Sequence, residues 1–231
     1  MDSLLRQHVI HPVVTGEDTA VWIPAEEATL SGDLYMPEGA NSIVIFAHGS
    51  GSSRHSPRNQ FVAGVLHDKR IGTLLMDLLT PEEEEFDLRT RKLRFNIELL
   101  TERLLSAQKW AAHHPALKGL RIGYFGASTG AAAALAAAAR RPKGVSAVVC
   151  RGGRPDLAGD DQLRVKAPTL LIVGEQDIEV LAVNKNAITK LNTSSKLDIV
   201  PRATHLFEEP GTLEDVAQLA SDWFAKHLSA L

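Results

Sequence analysis

From about Asn41 onward the chain alternates between short unbroken apolar runs and amphipathic stretches. The runs are "SIVIFAHG", "IGTLLMDLL", "RIGYFGAS", "VSAVVCRGG" and "APTLLIVGEQD", each closing near a Gly, Asp or Ser. Continuous rather than alternating apolarity predicts strands covered on both faces, as in a parallel sheet. A further strand is expected inside "LDIVPRATHLF". Nearer the start, "AVWIPA" and "ATLSGDLYMP" read as two strands, the second alternating before a turn at Met36-Pro37. Between the runs, Leu93, Ile97, Leu100, Leu104 and Ala111 fall on one face at helical spacing. That helix is expected to stop at His113-His114-Pro115, where proline disfavours continuation. A last helix, "TLEDVAQLASDWFAKHL", packs through Val216, Leu219, Ala220 and Trp223. Strand–helix alternation of this kind predicts an α/β fold: a doubly wound, mostly parallel sheet with right-handed crossovers. No repeat, linker or composition break interrupts residues 1–231, so one domain is expected.

Composition narrows the function classes. Of 231 residues, 44% are hydrophobic and 23% charged, the balance of an ordinary globular chain. A net charge of -3 and a pI near 6.3 give no electrostatic case for nucleic acid or an anionic membrane surface. The one cysteine, Cys150, excludes an internal disulfide and a cysteine-rich zinc site. "MDSLLRQHVIHPVV" lacks the basic start and apolar core of a signal peptide, and no run approaches a membrane span. A soluble cytoplasmic protein is the expectation.

In open α/β sheets, ligands bind beyond the carboxyl ends of the strands. The polar residues at those ends are His48 to Gly51, Asp77, Ser128, Cys150 to Arg154, Asp177 and His205. Ser128 stands between an apolar run and the small-residue stretch "TGAAAALAAAARR". A serine on so sharp a strand-to-helix turn needs small residues two before and two after it, and Gly126 and Gly130 meet that need. The alternative is a glycine-rich turn whose serine only caps the helix. Serine needs a base, and the base needs a third group to hold its tautomer. Asp177 and His205 follow in the order Ser, Asp, His, each past a strand end. His205 alone among nine histidines has that placement; His8, His11, His67 and His227 read as peripheral, and His113 and His114 as a helix end.

Asp156, in "RGGRPDLAG", rivals Asp177 for the acid position, and Glu175 is a neighbour that supports the site. For an oxyanion hole, two backbone N–H groups must converge on the developing charge. Thr129, next after the serine, supplies one. The loop "HGSGSSRHSPRNQF" supplies the other, with Ser50 preferred and Gly51 second. His48 is expected to brace this loop rather than act as a base. Arg54 and His55 either edge the pocket or are solvated.

The motifs "HGSG", "GYFGASTGA", "VGEQD" and "ATHLF", in this order, resemble the α/β-hydrolase superfamily. In detail they are similar to its dienelactone hydrolase-like branch, over nearly the whole chain from Val21 onward. The resemblance implies a Ser128–His205–Asp177 triad and ester hydrolysis. Dienelactone hydrolases proper carry cysteine at the elbow, so the serine here favours a general carboxylesterase; Cys150 reads as a small core residue. The expected partner is a small or medium ester, with no cofactor, metal, nucleic acid or membrane. Acyltransferase, thioesterase, peptidase or perhydrolase action is the alternative within enzymes, and a binding or signalling protein with negligible turnover is the alternative outside them.

Two further features bear on substrate access. "TPEEEEFD" combines Thr80 as N-cap, Pro81 in the first turn and Glu83 as capping-box partner. Its carboxylates either crowd the active-site rim, disfavouring anionic substrates, or simply start a solvated helix. The connection from Arg151 to Pro168 has room for a loop and a short helix, not a lid domain, so an open cleft is expected.

Overall fold

The structure, a computed structural model, describes residues 13–191 and 194–229. The N-terminal stretch "MDSLLRQHVIHPVV", with His8 and His11, lies almost entirely outside them. Among the described residues eight strands form one open sheet: β1 (Asp18–Ala25), β2 (Ala28–Tyr35), β3 (Ser42–Ala47), β4 (Gly72–Met76), β5 (Arg121–Ala127), β6 (Ala147–Arg151), β7 (Thr169–Gly174) and β8 (Lys196–Val200). Their spatial order is β1-β2-β4-β3-β5-β6-β7-β8. The β1–β2 hairpin and the β2–β4 pairing are antiparallel; every pairing from β4 to β8 is parallel. This is the doubly wound, mostly parallel sheet that the apolar runs predict. β3 and β7 are buried along their whole length, whereas β8 at the edge is half exposed.

The helices are α1 (Pro57–Asp68), α2 (Pro81–Thr90), α3 (Ile97–His113), α4 (Thr129–Arg140), α5 (Ile178–Ile188) and α6 (Thr212–Leu228). On one face of the sheet, Leu100 and Leu104 of α3 and the alanines of α4 pack with Ile45, Tyr124 and Leu171. On the other, Val62 and Leu66 of α1 and Val216 and Phe224 of α6 pack with Phe46, Phe125 and Ile172. Alanine at almost every position of α4 lets its axis come close to the sheet, and residues Thr129 to Ala138 are all buried.

The sequence pattern places Leu93 on the α3 face, but the helix begins only at Ile97, with Asn96 accepting the Leu99 N–H as its cap. Leu93 and Arg94 instead give their N–H groups to Asp87 Oδ1, at 2.7 and 3.1 Å. That carboxylate holds the chain in a turn before the helix can start. α2 has the expected capping box between Thr80 and Glu83. Between β6 and β7 lies only a short 3-10 segment, Pro155–Arg164, and no lid. Among the described residues no helix is long and apolar enough to cross a membrane.

Candidate active site

Ser128 ends β5 and stands immediately before α4, with φ 51° and ψ -118°. Such a left-handed φ is costly for a residue with a Cβ and is sustained only where the surroundings over-determine it. Those surroundings are the two small neighbours. A methyl group at Gly126 would come within 2.5 Å of the Ala131 Cα, and one at Gly130 would collide with the Ala47 carbonyl at the end of β3. The turn is therefore clamped between its own helix and the adjacent strand. Its backbone is tied sideways to β6 as well: the Ser128 N–H donates to Arg151 O at 3.1 Å, and Ser128 O accepts the Arg154 N–H at 3.2 Å. The Ser128 side chain caps nothing, so the reading of this turn as a mere helix cap fails.

His205 follows β8 on a loop held from two sides. Glu175 Oε2 accepts the Arg202 N–H at 2.8 Å. Glu209 accepts the Thr204 N–H at 3.0 Å and the Thr204 hydroxyl at 2.6 Å. These hydrogen bonds hold the Glu209 carboxyl below the usual carboxylate range. Gly174, at the end of β7, has no room for a side chain because the Ala203 and Thr204 carbonyls press against it. β7 and the histidine loop are thereby brought together, and His205 Nδ1 lies 2.6 Å from Asp177 Oδ2. The Asp177 side chain is mostly buried and makes no cap to α5. Asp156 is turned elsewhere, in a two-pronged pair with Arg154 at 2.8 and 2.6 Å.

Gly152 links the serine and the histidine. It follows Arg151, whose carbonyl holds Ser128, and a methyl group built on it would touch the His205 ring at 3.4 Å. Serine and imidazole thus flank the same short turn after β6.

The loop after β3 passes over the elbow. Gly49 approaches the serine itself, with space for a Cβ only 3.1 Å from the Ser128 Cβ. Ser50 is exposed and Gly51 has φ 70°, while Thr129 opens α4 and is buried. His48 braces the loop, donating from Nδ1 to Gly49 O at 2.9 Å and accepting the Leu78 N–H at Nε2, 3.1 Å. Burial pushes its pKa down, which keeps this pair of roles in the neutral ring. Arg54 pins the far end: its backbone N–H donates to Asp77 Oδ1 at 2.8 Å and its guanidinium pairs with Asp77 and with Asp33. His55 is exposed.

A shallow pocket opens beside this loop, walled by Gly49 to Ser52, Leu78, Leu79, Leu100 and Thr129, with Glu84, Asp87 and Arg94 at its polar end. The acidic start of α2 is thus divided: Glu84 and Asp87 face the pocket, whereas Glu83 pairs with Arg103. Asp87 is compensated there by Arg94, at 2.5 Å. Sequence reasoning includes Gly49 only within the His48–Gly51 strand end and misses its approach to Ser128, and it misses Arg94. The tight "HG" step after a buried strand was the available signal for the first. Cys150 is fully buried and its thiol is pushed up to about 12 by burial, so it is inert.

Comparison with known proteins gives the family and the fold. Residues 77–231 match the model of the dienelactone hydrolase family. A crystal structure of a dienelactone hydrolase from Anabaena variabilis is 59% identical, covers 92% of this chain and 99% of its own, and superposes with a TM-score of 0.91. A Xanthomonas campestris protein described as an α/β serine hydrolase without lid is 18% identical, covers 95% of this chain and 99% of its own, and has a TM-score of 0.74, a likeness of fold. Mycobacterium tuberculosis proteins provisionally named phosphoribosyl transferases are 56% identical over 91% of this chain. That match takes in 47% of their length, so the chain spans about half of these curated relatives.

Proposed function

The chain belongs to the dienelactone hydrolase family, and on that premise we propose that it is a serine hydrolase cleaving small to medium carboxylic esters. The observation that carries this reading is the arrangement around Gly152. On one side stands a strained elbow serine, and on the other an imidazole whose Nδ1 is held by Asp177. In the proposed reaction His205 Nε2 removes the Ser128 proton as Oγ attacks the ester carbonyl. Asp177 fixes the tautomer that leaves Nε2 free and stabilises the imidazolium. The N–H groups of Thr129 and Ser50 hold the tetrahedral oxyanion, with Gly49 kept side-chain-free so that the loop can approach. His205 then protonates the departing alcohol, and a water deprotonated by the same ring releases the acyl group.

The absence of a lid supports an open cleft and compact substrates. The reading follows the elbow rather than the transferase name of the longer relatives, because an activated serine beside an imidazole–carboxylate pair is suited to acyl transfer.

The test is the intact mass of the protein after exposure to a fluorophosphonate, wild type beside Ser128→Ala, followed by turnover of a series of p-nitrophenyl esters. One adduct, lost in the variant, together with multiple turnover is the expected result. A folded wild type that takes no adduct would overturn the reading in favour of a binding protein of hydrolase fold.

A further inference from the structure

β6 alternates cleanly along its length. Val148 and Cys150 enter the core beneath α3 and α4, while Ala147 and Val149 enter the core beneath α1 and α6. By the two-residue period of a strand, Arg151 belongs to the second set. It is 9% exposed, a strong cation at the upper end of an apolar layer. Its Nη1 is buried with no hydrogen-bond partner, and among the described residues no carboxylate pairs with it. Burial and the neighbouring Arg58 charge push its pKa down only to about 10, so it remains charged at neutral pH.

Arg58 and Asn59 occupy the first turn of α1 and repeat the pattern. Arg58 Nε and Asn59 Oδ1 are both buried without partners, and Asn59 is 2% exposed. Among the described residues the one carboxylate paired with Arg58 is Glu208, 3.6 Å from Nη1 and itself 66% exposed. No acidic residue stands in the first turn of α1, whose Ser56 cap takes the Asn59 N–H. Apart from the Ser56 cap, the positive end of the helix meets no acidic residue in its own first turn. The Arg58 and Arg151 charges are close enough to repel, and Asn59 beside Arg58 carries an idle amide oxygen, whereas buried cations are normally paired.

We propose that Arg58, Asn59 and Arg151 form a binding site for a phosphoryl dianion, at the foot of the His205 loop. Guanidinium groups match the oxygens of phosphate with two parallel hydrogen bonds each. Rotation of the Asn59 amide turns its NH₂ to the ligand, and Glu208, loosely held and largely in solvent, swings away to admit it. Two full charges and a helix dipole call for a double negative charge rather than a carboxylate's single one. Free phosphate and the phosphate group of a small organic ester both carry this chemistry.

The experiment is calorimetric titration of the full chain at constant ionic strength, with inorganic phosphate, glycerol 3-phosphate and acetate in separate arms. Saturable one-site binding of a phosphate is expected, weakened at least tenfold by Arg58→Gln, a partly exposed position, and likewise by Arg151→Met. The tighter phosphate arm identifies the source. Binding should be unchanged in Ser128→Ala, which separates this site from the hydrolase reading: fluorophosphonate labelling tests the one and phosphate titration the other. No saturable phosphate binding, binding that survives Arg58→Gln, binding lost in Ser128→Ala, or tighter binding of acetate would each overturn the proposal.

Discussion

His205 Nδ1 lies 2.6 Å from Asp177 Oδ2, although the two residues belong to different loops. The pair depends on the close seat of the His205 loop against Gly174. Because the ring nitrogen and not merely the charge is held, Asp177→Asn should lower kcat about 10³- to 10⁴-fold by favouring the wrong tautomer. Asp156→Asn removes only a partly exposed pair with Arg154 and should change kcat less than about threefold. Steady-state kinetics of the two variants on one ester distinguishes them.

Glu175 and Glu209 touch no reacting atom in this scheme but set the position of the histidine loop through the Arg202 and Thr204 N–H groups. Glu175→Ala should lower kcat by about ten- to a hundredfold through misplacement of the base, with KM nearly unchanged. Fluorophosphonate labelling should slow in parallel. An equal effect on KM and kcat would instead indicate a disturbed substrate pocket.

Gly130→Ala puts a methyl group into the Ala47 carbonyl. Backbone has to move in both α4 and β3, so the loss of stability should be about 3 kcal/mol or more. For a chain of this size that corresponds to a fall in Tm of roughly 6–12 °C. A thermal melt of the variant measures it directly.

His48 offers a pH test. Burial holds its pKa below the ordinary value of 6.5, so the folded state binds this proton less readily than the unfolded chain. Stability from this group is fully present above pH 6.5 and is lost as pH falls from there through the folded pKa. Protonation also costs Nε2 its role as acceptor for Leu78. The urea midpoint should therefore decline from pH 7 to pH 5, and His48→Gln should flatten that decline. His67 and His114, lowered by burial in the same way, supply the slope that remains in the variant.

Cys150 should be silent in the native protein. With its thiol fully buried and raised to about 12, a disulfide reagent such as DTNB should label it only after denaturation. Cys150→Ser should leave the fluorophosphonate adduct in place.

Much of this molecule is legible in one dimension, for a physical reason. Strands covered on both faces must be apolar throughout, and a serine on a strained elbow must be flanked by small residues; both constraints act within a few positions of chain. The parallel sheet, the α4 elbow, the Thr80–Glu83 cap and the extent of α6 follow from such local rules. Ser128, Asp177 and His205 could be singled out because the parallel strands β3 to β8 deliver their carboxyl ends to one edge. The sequence favours Asp177 but leaves Asp156 as a rival, since both follow strand ends. What only the tertiary structure adds is that Gly174 seats the 203–204 carbonyls so that His205 lies against Asp177, while Arg154 engages Asp156. The late start of α3 was likewise hidden, because helical spacing records which side chains are apolar and not where a carboxylate such as Asp87 intercepts backbone N–H groups. The solitary charge of Arg151 lies furthest from sequence reading. In one dimension it is an arginine at the end of an apolar run, and only the packing of α6 over β6 shows it buried with no carboxylate paired to it among the described residues.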